Sequence, residues 1–124
     1  MTLNEYQEQA METCMNSCDN FAYMMLNLVG EVGEFASKIA KEIRKDNMEI
    51  GGYGSPNRLI PFMDEEYWWS KEDELKKEAG DILWQLAGLC YVMGWKLDDV
   101  ALGNLEKLAS RKQRGVIDGD GDNR

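Results

Sequence analysis

Leu28-Val29-Gly30-Glu31-Val32-Gly33-Glu34-Phe35-Ala36-Ser37-Lys38-Ile39-Ala40-Lys41-Glu42-Ile43 is the stretch that decides the fold. Leu28, Val32, Phe35, Ile39 and Ile43 recur at steps of three and four, the period of a helix with one face turned to a core. Ser17, Asp19 and Asn20 are capping types that start this helix, which runs to about Lys45. Glu31 and Glu34 stand three apart along the edge of the apolar stripe, so they project side by side from one face.

Working outward, the same period appears three more times. Leu3, Tyr6, Ala10 and Cys14 predict a first helix from Leu3 to about Cys18, built of good helix formers without Gly or Pro. Ser70, followed by Glu72, Asp73 and Glu74, places a cap and three acids where a helix dipole favours them. That third helix runs to about Met93, with Leu75, Ala79, Ile82, Leu86, Leu89, Cys90 and Met93 facing inward and Gly94 as its stop. A fourth, Leu97 to Arg114, has Leu97, Ala101, Leu105 and Leu108 as its stripe, and Arg111, Lys112 and Arg114 near its C-terminal dipole.

Between helices two and three, Asn47 to Ser70 holds both prolines, the Gly51-Gly52-Tyr53-Gly54 run and the aromatic cluster Tyr67-Trp68-Trp69. It is expected to form a long loop. No segment alternates with period two for long enough to predict a strand. The expected fold is therefore all-α, four-helix bundle-like, with a long loop between helices two and three. One domain spans residues 1–114, and 115–124 form a polar tail.

Composition narrows the function. The 124 residues suit one domain with a real core. Fourteen basic residues against 23 acidic ones give a formal charge of −9, which repels a nucleic-acid polymer over most of the surface. The start has no basic residues followed by an apolar run, and no stretch is apolar enough to span a bilayer, so a cytoplasmic protein without a membrane partner is expected. There is no histidine, which excludes Ser-His-Asp and Cys-His schemes, histidine bases and the usual zinc sites. Cys14 and Cys18, four apart, are expected to be buried thiols on one helix face.

Any metal must then sit on oxygen. Helix three carries Glu78-Ala79-Gly80-Asp81-Ile82, an echo of Glu31-Val32-Gly33-Glu34-Phe35, and packing the two stripes together brings four acids toward one place. Two like charges about 5 Å apart repel by roughly 3 kcal/mol at an effective dielectric near 20. A cation must offset this, and Mg²⁺, with Mn²⁺ as a substitute, suits all-carboxylate ligation while keeping room for water and phosphate. Gly33 and Gly80 each cost about 1 kcal/mol against Ala in a helix interior, which close approach of another backbone would justify.

With these residues in view, the sequence resembles the MazG-like branch of the all-α nucleoside triphosphate pyrophosphohydrolases, whose signature is Glu-x-x-Glu on one helix and Glu-x-x-Asp on the next. The likeness runs through Gly30-Glu31-Val32-Gly33-Glu34, Glu78-Ala79-Gly80-Asp81-Ile82-Leu83-Trp84, Asn104-Leu105-Glu106-Lys107-Leu108 with Arg111-Lys112 and Arg114-Gly115, and Gly119-Asp120-Gly121-Asp122-Asn123-Arg124. It implies Glu31, Glu34, Glu78 and Asp81 as ligands of Mg²⁺, cleavage of a nucleoside triphosphate between its α and β phosphates, and assembly as a homodimer or homotetramer. The ions would polarise a phosphoryl oxygen and acidify water, with Glu34 as the general base. The connection from Glu34 to Glu78 is longer than in compact members, which bears on base selectivity.

Asn104, Lys107 and Arg111 share a face of helix four, where the two cations could meet a triphosphate or merely complement the helix dipole. Lys38, one turn after Glu34, could touch phosphate or pair with an acid. Trp84, Trp68, Trp69 and Tyr53 could stack on a base, Trp84 being the one assigned to substrate, although aromatic residues more often anchor cores and interfaces. Asp118, Asp120 and Asp122 imitate an EF-hand start, but the chain ends before the Glu such a loop needs. Two readings compete with the pyrophosphohydrolase: a non-catalytic helical oligomerisation or regulatory module, and a hydrolase of another phosphorylated metabolite.

Overall fold

A computed structural model describes residues 1–51, 59–61 and 64–123. The class is all-α, and the described residues form four α-helices: α1 (Leu3–Met11), α2 (Phe21–Arg44), α3 (Glu65–Val92) and α4 (Leu97–Arg114). The chain divides into two compact units, one of Met1–Phe21 with Ala87–Arg124 and one of Ala22–Leu86.

In the first unit, Thr2 opens α1 with a capping box. Its hydroxyl accepts from the Glu5 amide at 3.0 Å, and the Glu5 carboxylate accepts from the Thr2 amide at 2.7 Å. The helix stops at Met11, earlier than its apolar spacing predicts. Thr13 explains the stop: its hydroxyl donates to the Ala10 carbonyl at 2.6 Å, and the Thr13 and Cys14 amides bond three residues back. A one-turn 3₁₀ helix, Asn16–Cys18, follows. Cys14 and Cys18 therefore do not share a helix face as buried thiols; both are half-buried, and Cys90 is the buried one.

α1 also completes α4. Lys96 precedes α4 without a side-chain cap, and the orphan amides find acceptors on α1 instead. Leu97 N–H donates to Gln7 Oε1 at 3.1 Å and Asp98 N–H to Asn4 Oδ1 at 2.9 Å. The Gln7 amide donates in turn to the carbonyls of Ala87 and Trp95, so this buried polar side chain is used at both ends. Around it lie Ala87, Cys90 and Leu97, with Tyr6 packed against them. Gly94 and Gly115, both at positive φ, end α3 and α4 in Schellman turns: Trp95 N–H reaches the Cys90 carbonyl and Val116 N–H the Arg111 carbonyl. Of the predicted α4 stripe, Leu97 is buried, whereas Leu105 and Leu108 face out of the chain.

In the second unit, α2 ends in a third Schellman turn, here on Asp46 with φ 60° rather than on a glycine. Asp46 N–H bonds the Ile43 carbonyl and Asn47 N–H the Glu42 carbonyl. Two short strands follow that period-two reading missed, β1 (Met48–Ile50) and β2 (Leu59–Pro61), paired antiparallel with Met48 opposite Pro61 and Ile50 opposite Leu59. Three residues are too few to display alternation, and Pro61 is tolerated at a strand end.

α3 begins at Glu65, before the predicted Ser70 cap. Asp64 performs that role, accepting from the Tyr67 amide at 2.9 Å, so Tyr67, Trp68 and Trp69 are helical rather than part of the loop. Tyr53 lies outside the described residues. Lys76–Glu72 and Lys77–Asp73 pairs support the outer face of α3, each contributing a few tenths of a kcal/mol. Among the described residues, no helix is long and apolar enough to cross a membrane.

Candidate metal centre

The acid pairs sit on α2 and α3, within the second unit. Ligand oxygens of Glu31, Glu78 and Asp81 lie within 4.8 Å of one another. Glu78 is buried, Glu31 half-buried and Asp81 exposed, so the group opens to solvent on one side. Glu34, one turn after Glu31, is exposed and is not part of this three-oxygen group.

The partners of these acids are unevenly shared. Asn27, four residues before Glu31, donates from Nδ2 to its Oε1 at 3.2 Å. Lys38 Nζ lies 2.7 Å from Glu78 Oε1, so of the two roles open to Lys38 the structure displays the pairing with an acid. Glu31 Oε2 and Glu78 Oε2 are buried with no hydrogen-bond partner among the described residues. Leaving such oxygens unsatisfied is costly unless a cation takes them.

Electrostatics agree with the geometry. Burial first, then the charges of Glu34 and Asp81, push the Glu31 carboxyl above its ordinary range, against the Asn27 hydrogen bond. The hydrogen bond to Glu78 holds the Lys38 ammonium above its usual value, so it stays charged. Three carboxylates, two with an orphaned oxygen, and no sulfur or nitrogen donor among them fit a hard divalent ion.

A Cβ on Gly33 or Gly80 would meet nothing within 4 Å among the described residues.

The predicted substrate residues are distributed over both units. Lys38 and the half-buried Trp84 belong to the second. Asn104, Lys107 and Arg111 lie on α4 in the first, where Asn104 and Lys107 are exposed and Arg111 is buried. There the tail turns back on the helix: Asp122 Oδ1 accepts from Arg111 Nη2 at 2.8 Å and lies 3.3 Å from Lys107 Nζ, and Arg111 also donates to the Gly121 carbonyl at 3.3 Å. The Arg111 and Lys107 bonds hold the Asp122 carboxyl below its usual range.

Sequence reading missed Asn27, whose spacing of four from Glu31 was the available signal. It also missed Glu42, which is 4% exposed and continues the face of Glu31 and Lys38. Glu42 accepts from Asn47 Nδ2 at 2.7 Å and from the Tyr67 hydroxyl at 3.2 Å, with Lys71 Nζ 3.7 Å away. The Asn47 hydrogen bond, then that of Tyr67 and the Lys71 charge, hold its carboxyl below the ordinary range despite burial.

Comparison with known proteins gives these acids their setting. A family model described as the MazG nucleotide pyrophosphohydrolase domain matches residues 20–116, which include both acid pairs and all of α2, α3 and α4. The chain is 35% identical over 131 aligned positions to the Gene 37 protein of Mycobacterium phage L5, covering 100% of each. No solved structure matches. Since the match extends from the start of α2 through the end of α4 and contains the three converging carboxylates, the chain belongs to the MazG nucleotide pyrophosphohydrolase family.

Proposed function

We propose that the protein hydrolyses a nucleoside triphosphate to the monophosphate and pyrophosphate with Mg²⁺ bound by Glu31, Glu78 and Asp81, Glu34 adjoining them. The observation that carries this reading is the pair of buried, partnerless oxygens, Glu31 Oε2 and Glu78 Oε2, in a group that closes to within 4.8 Å. Bound Mg²⁺ would supply Lewis-acid polarisation of a phosphoryl oxygen and make water more acidic.

The remaining work falls to the chain. Glu31 and Glu78 each turn an oxygen without a hydrogen-bond partner among the described residues to the place where the ion would sit, which ties activity to the ion. Glu34, exposed one turn from Glu31, accepts the proton of the attacking water as its oxygen bonds to phosphorus at the α–β anhydride and pyrophosphate leaves. Lys38, charged and bound to Glu78, fixes that carboxylate and lies within reach of phosphate oxygens. Lys107 and Arg111 remain in the reading as phosphate contacts provided that substrate displaces Asp122 from them; Asn104 and Trp84 remain as further substrate contacts.

A homodimer or homotetramer belongs to the same reading. Leu26 and Val29 on α2 are 75% and 67% exposed, and Leu105 on α4 is 64% exposed, apolar side chains that assembly would take out of water. Gly33 and Gly80, open on the side where a Cβ would stand, leave room for another backbone.

Pyrophosphate release from a panel of ribo- and deoxynucleoside triphosphates, with and without Mg²⁺, tests the activity. Release that needs the ion and leaves a monophosphate is expected. No release from any member, or products other than the monophosphate and pyrophosphate, would overturn it. Light scattering at micromolar concentration tests the assembly, and a monomer would remove that part.

A further inference from the structure

Beyond the acids, α2, α3 and β1 enclose a cavity of about 110 Å³ in the same unit. Lys38 belongs to both places: it lines the cavity while its Nζ holds Glu78. Along α3 the cavity's Lys71 stands seven residues before Glu78, about 10 Å at the rise of an α-helix. A molecule anchored by its phosphates at the acids can therefore reach the cavity with its other end.

The lining joins three apolar residues to five charged ones, Lys38, Lys41, Glu42, Lys71 and Glu74, so a ligand here meets apolar contacts and ionic groups together. Ile39, Met48 and Leu75 supply the walls, and Met48 is fully buried. Glu42 supplies the polar floor, and its two oxygens are used differently. Oε2 is taken by Asn47 at 2.7 Å, whereas among the described residues Oε1 has the shared Tyr67 hydroxyl at 3.3 Å and Lys71 at 3.7 Å. Oε1 thus keeps a lone pair for a closer donor. Lys71 Nζ, 3.5 Å from Glu74 and 5.3 Å from the Tyr67 ring centre, has no close acceptor among these neighbours and keeps donors to spend.

An acceptor and a donor 3.7 Å apart, set between apolar walls, complement a flat ring whose edge carries an N–H beside a carbonyl or ring-nitrogen acceptor. Nucleobases have such edges. The lining carries both signs, Lys38, Lys41 and Lys71 against Glu42 and Glu74, so a neutral edge that both donates and accepts uses it more fully than an ion of one sign. Size selects further: at about 110 Å³ the cavity is smaller than the roughly 150 Å³ that holds one benzene ring, so it disfavours a fused pair of rings more than a single ring. We infer that the cavity between Ile39, Met48 and Leu75 is the base subsite and selects a pyrimidine, with Glu42 Oε1 accepting its N–H and Lys71 donating to the neighbouring acceptor. The inference rests on the nucleotide-cleaving reading of the adjacent acids for its substrate class.

Its test needs neither metal nor turnover. Protein carrying ¹³C-methyl methionine is titrated, without divalent ions, with cytidine, uridine, adenosine and guanosine 5′-monophosphates, and the Met48 methyl signal is followed. The expected result is a saturable Met48 shift with the pyrimidine nucleotides at concentrations about tenfold or more below those needed for purines. Glu42→Gln and Lys71→Met should each weaken it by about tenfold, the scale of one lost base-edge contact. Lys71 is part-exposed, so Lys71→Met keeps the test alive should Glu42→Gln fail to fold by circular dichroism. A Met48 signal that does not move, purines binding as well as pyrimidines, or a folded Lys71→Met protein binding like the wild type would each overturn the inference. Hydrolysis with a silent Met48 would defeat the subsite and leave the hydrolase standing; a Met48 shift without hydrolysis would do the reverse.

Discussion

α2 and α3 bury two carboxylates to nearly the same depth and treat them in opposite ways. Glu42, 4% exposed, is met by an amide, a phenol and an ammonium, and these hold it charged. Glu78, 9% exposed, has Lys38 on one oxygen and, among the described residues, no hydrogen-bond partner on the other, and its neighbours are Glu31 and Asp81. Burial alone therefore does not mark a binding centre in this protein. The mark is a buried oxygen left without a donor among like charges, since water is excluded there and only a cation can replace it.

The comparison is broken most sharply by turnover. Glu78→Gln keeps the shape and removes the charge, so pyrophosphate release should fall on the order of 100-fold or more, as for loss of a metal ligand. Asp81→Asn should do the same. Glu34→Gln should lower kcat while leaving ion binding in place, because Glu34 stands outside the three-oxygen group. Steady-state kinetics with Mg²⁺ varied at fixed nucleotide would separate these, and a Glu78→Gln enzyme with wild-type kcat would end the metal reading.

How far the sequence told these regions apart follows from range. That Glu31, Glu78 and Asp81 come together was legible because each acid pair lies within one turn, and the helical period around it is strong. The role of Glu42 was not, because its partners depend on turns. Asn47 reaches it through a Schellman turn on Asp46, where a non-glycine residue at φ 60° gives little warning. Tyr67 reaches it because Asp64 caps α3 and makes the aromatic run around Tyr67 helical, where its composition alone reads as loop. The tail posed the same difficulty, since the bond from Arg111 to Asp122 joins residues eleven apart across the turn at Gly115.

Stability should separate the two carboxylates by sign. Glu42→Gln weakens charge-assisted bonds from Asn47 and Tyr67 and leaves Lys71 without its buried counter-charge, a loss of about 2 kcal/mol. In a chain of this length that lowers the melting midpoint by roughly 6–10 °C. Glu78→Gln, in the absence of divalent ions, removes one of several like charges as well as the Lys38 pair, and its midpoint should change by much less. Mg²⁺ should then raise the wild-type midpoint, by the equivalent of about 2.7 kcal/mol when the ion is at a hundred times its dissociation constant. Glu42→Gln should keep that rise and Glu78→Gln should lose it. Scanning calorimetry of the three proteins with and without the ion reads these midpoints, and a rise retained in Glu78→Gln would show the ion binding elsewhere.

The smallest effect is a pH dependence confined to Glu42. Its folded-state carboxyl lies below the ordinary value of 4.5, through the Asn47 and Tyr67 hydrogen bonds and the Lys71 charge. A carboxyl depressed on folding adds stability that is fully present above the ordinary range and is lost as pH falls through the lowered native value. Once protonated, Glu42 has nearly the shape and charge of glutamine. The gap in urea stability between wild type and Glu42→Gln should therefore be widest near neutrality, narrow as pH falls through 4.5, and close below the native value. Other groups that titrate there, Asp122 among them, are present in both proteins and cancel in the difference. A gap that stays constant down to acid pH would mean that the advantage of Glu42 comes from packing, and the contrast between a satisfied and an unsatisfied buried carboxylate would lose its electrostatic basis.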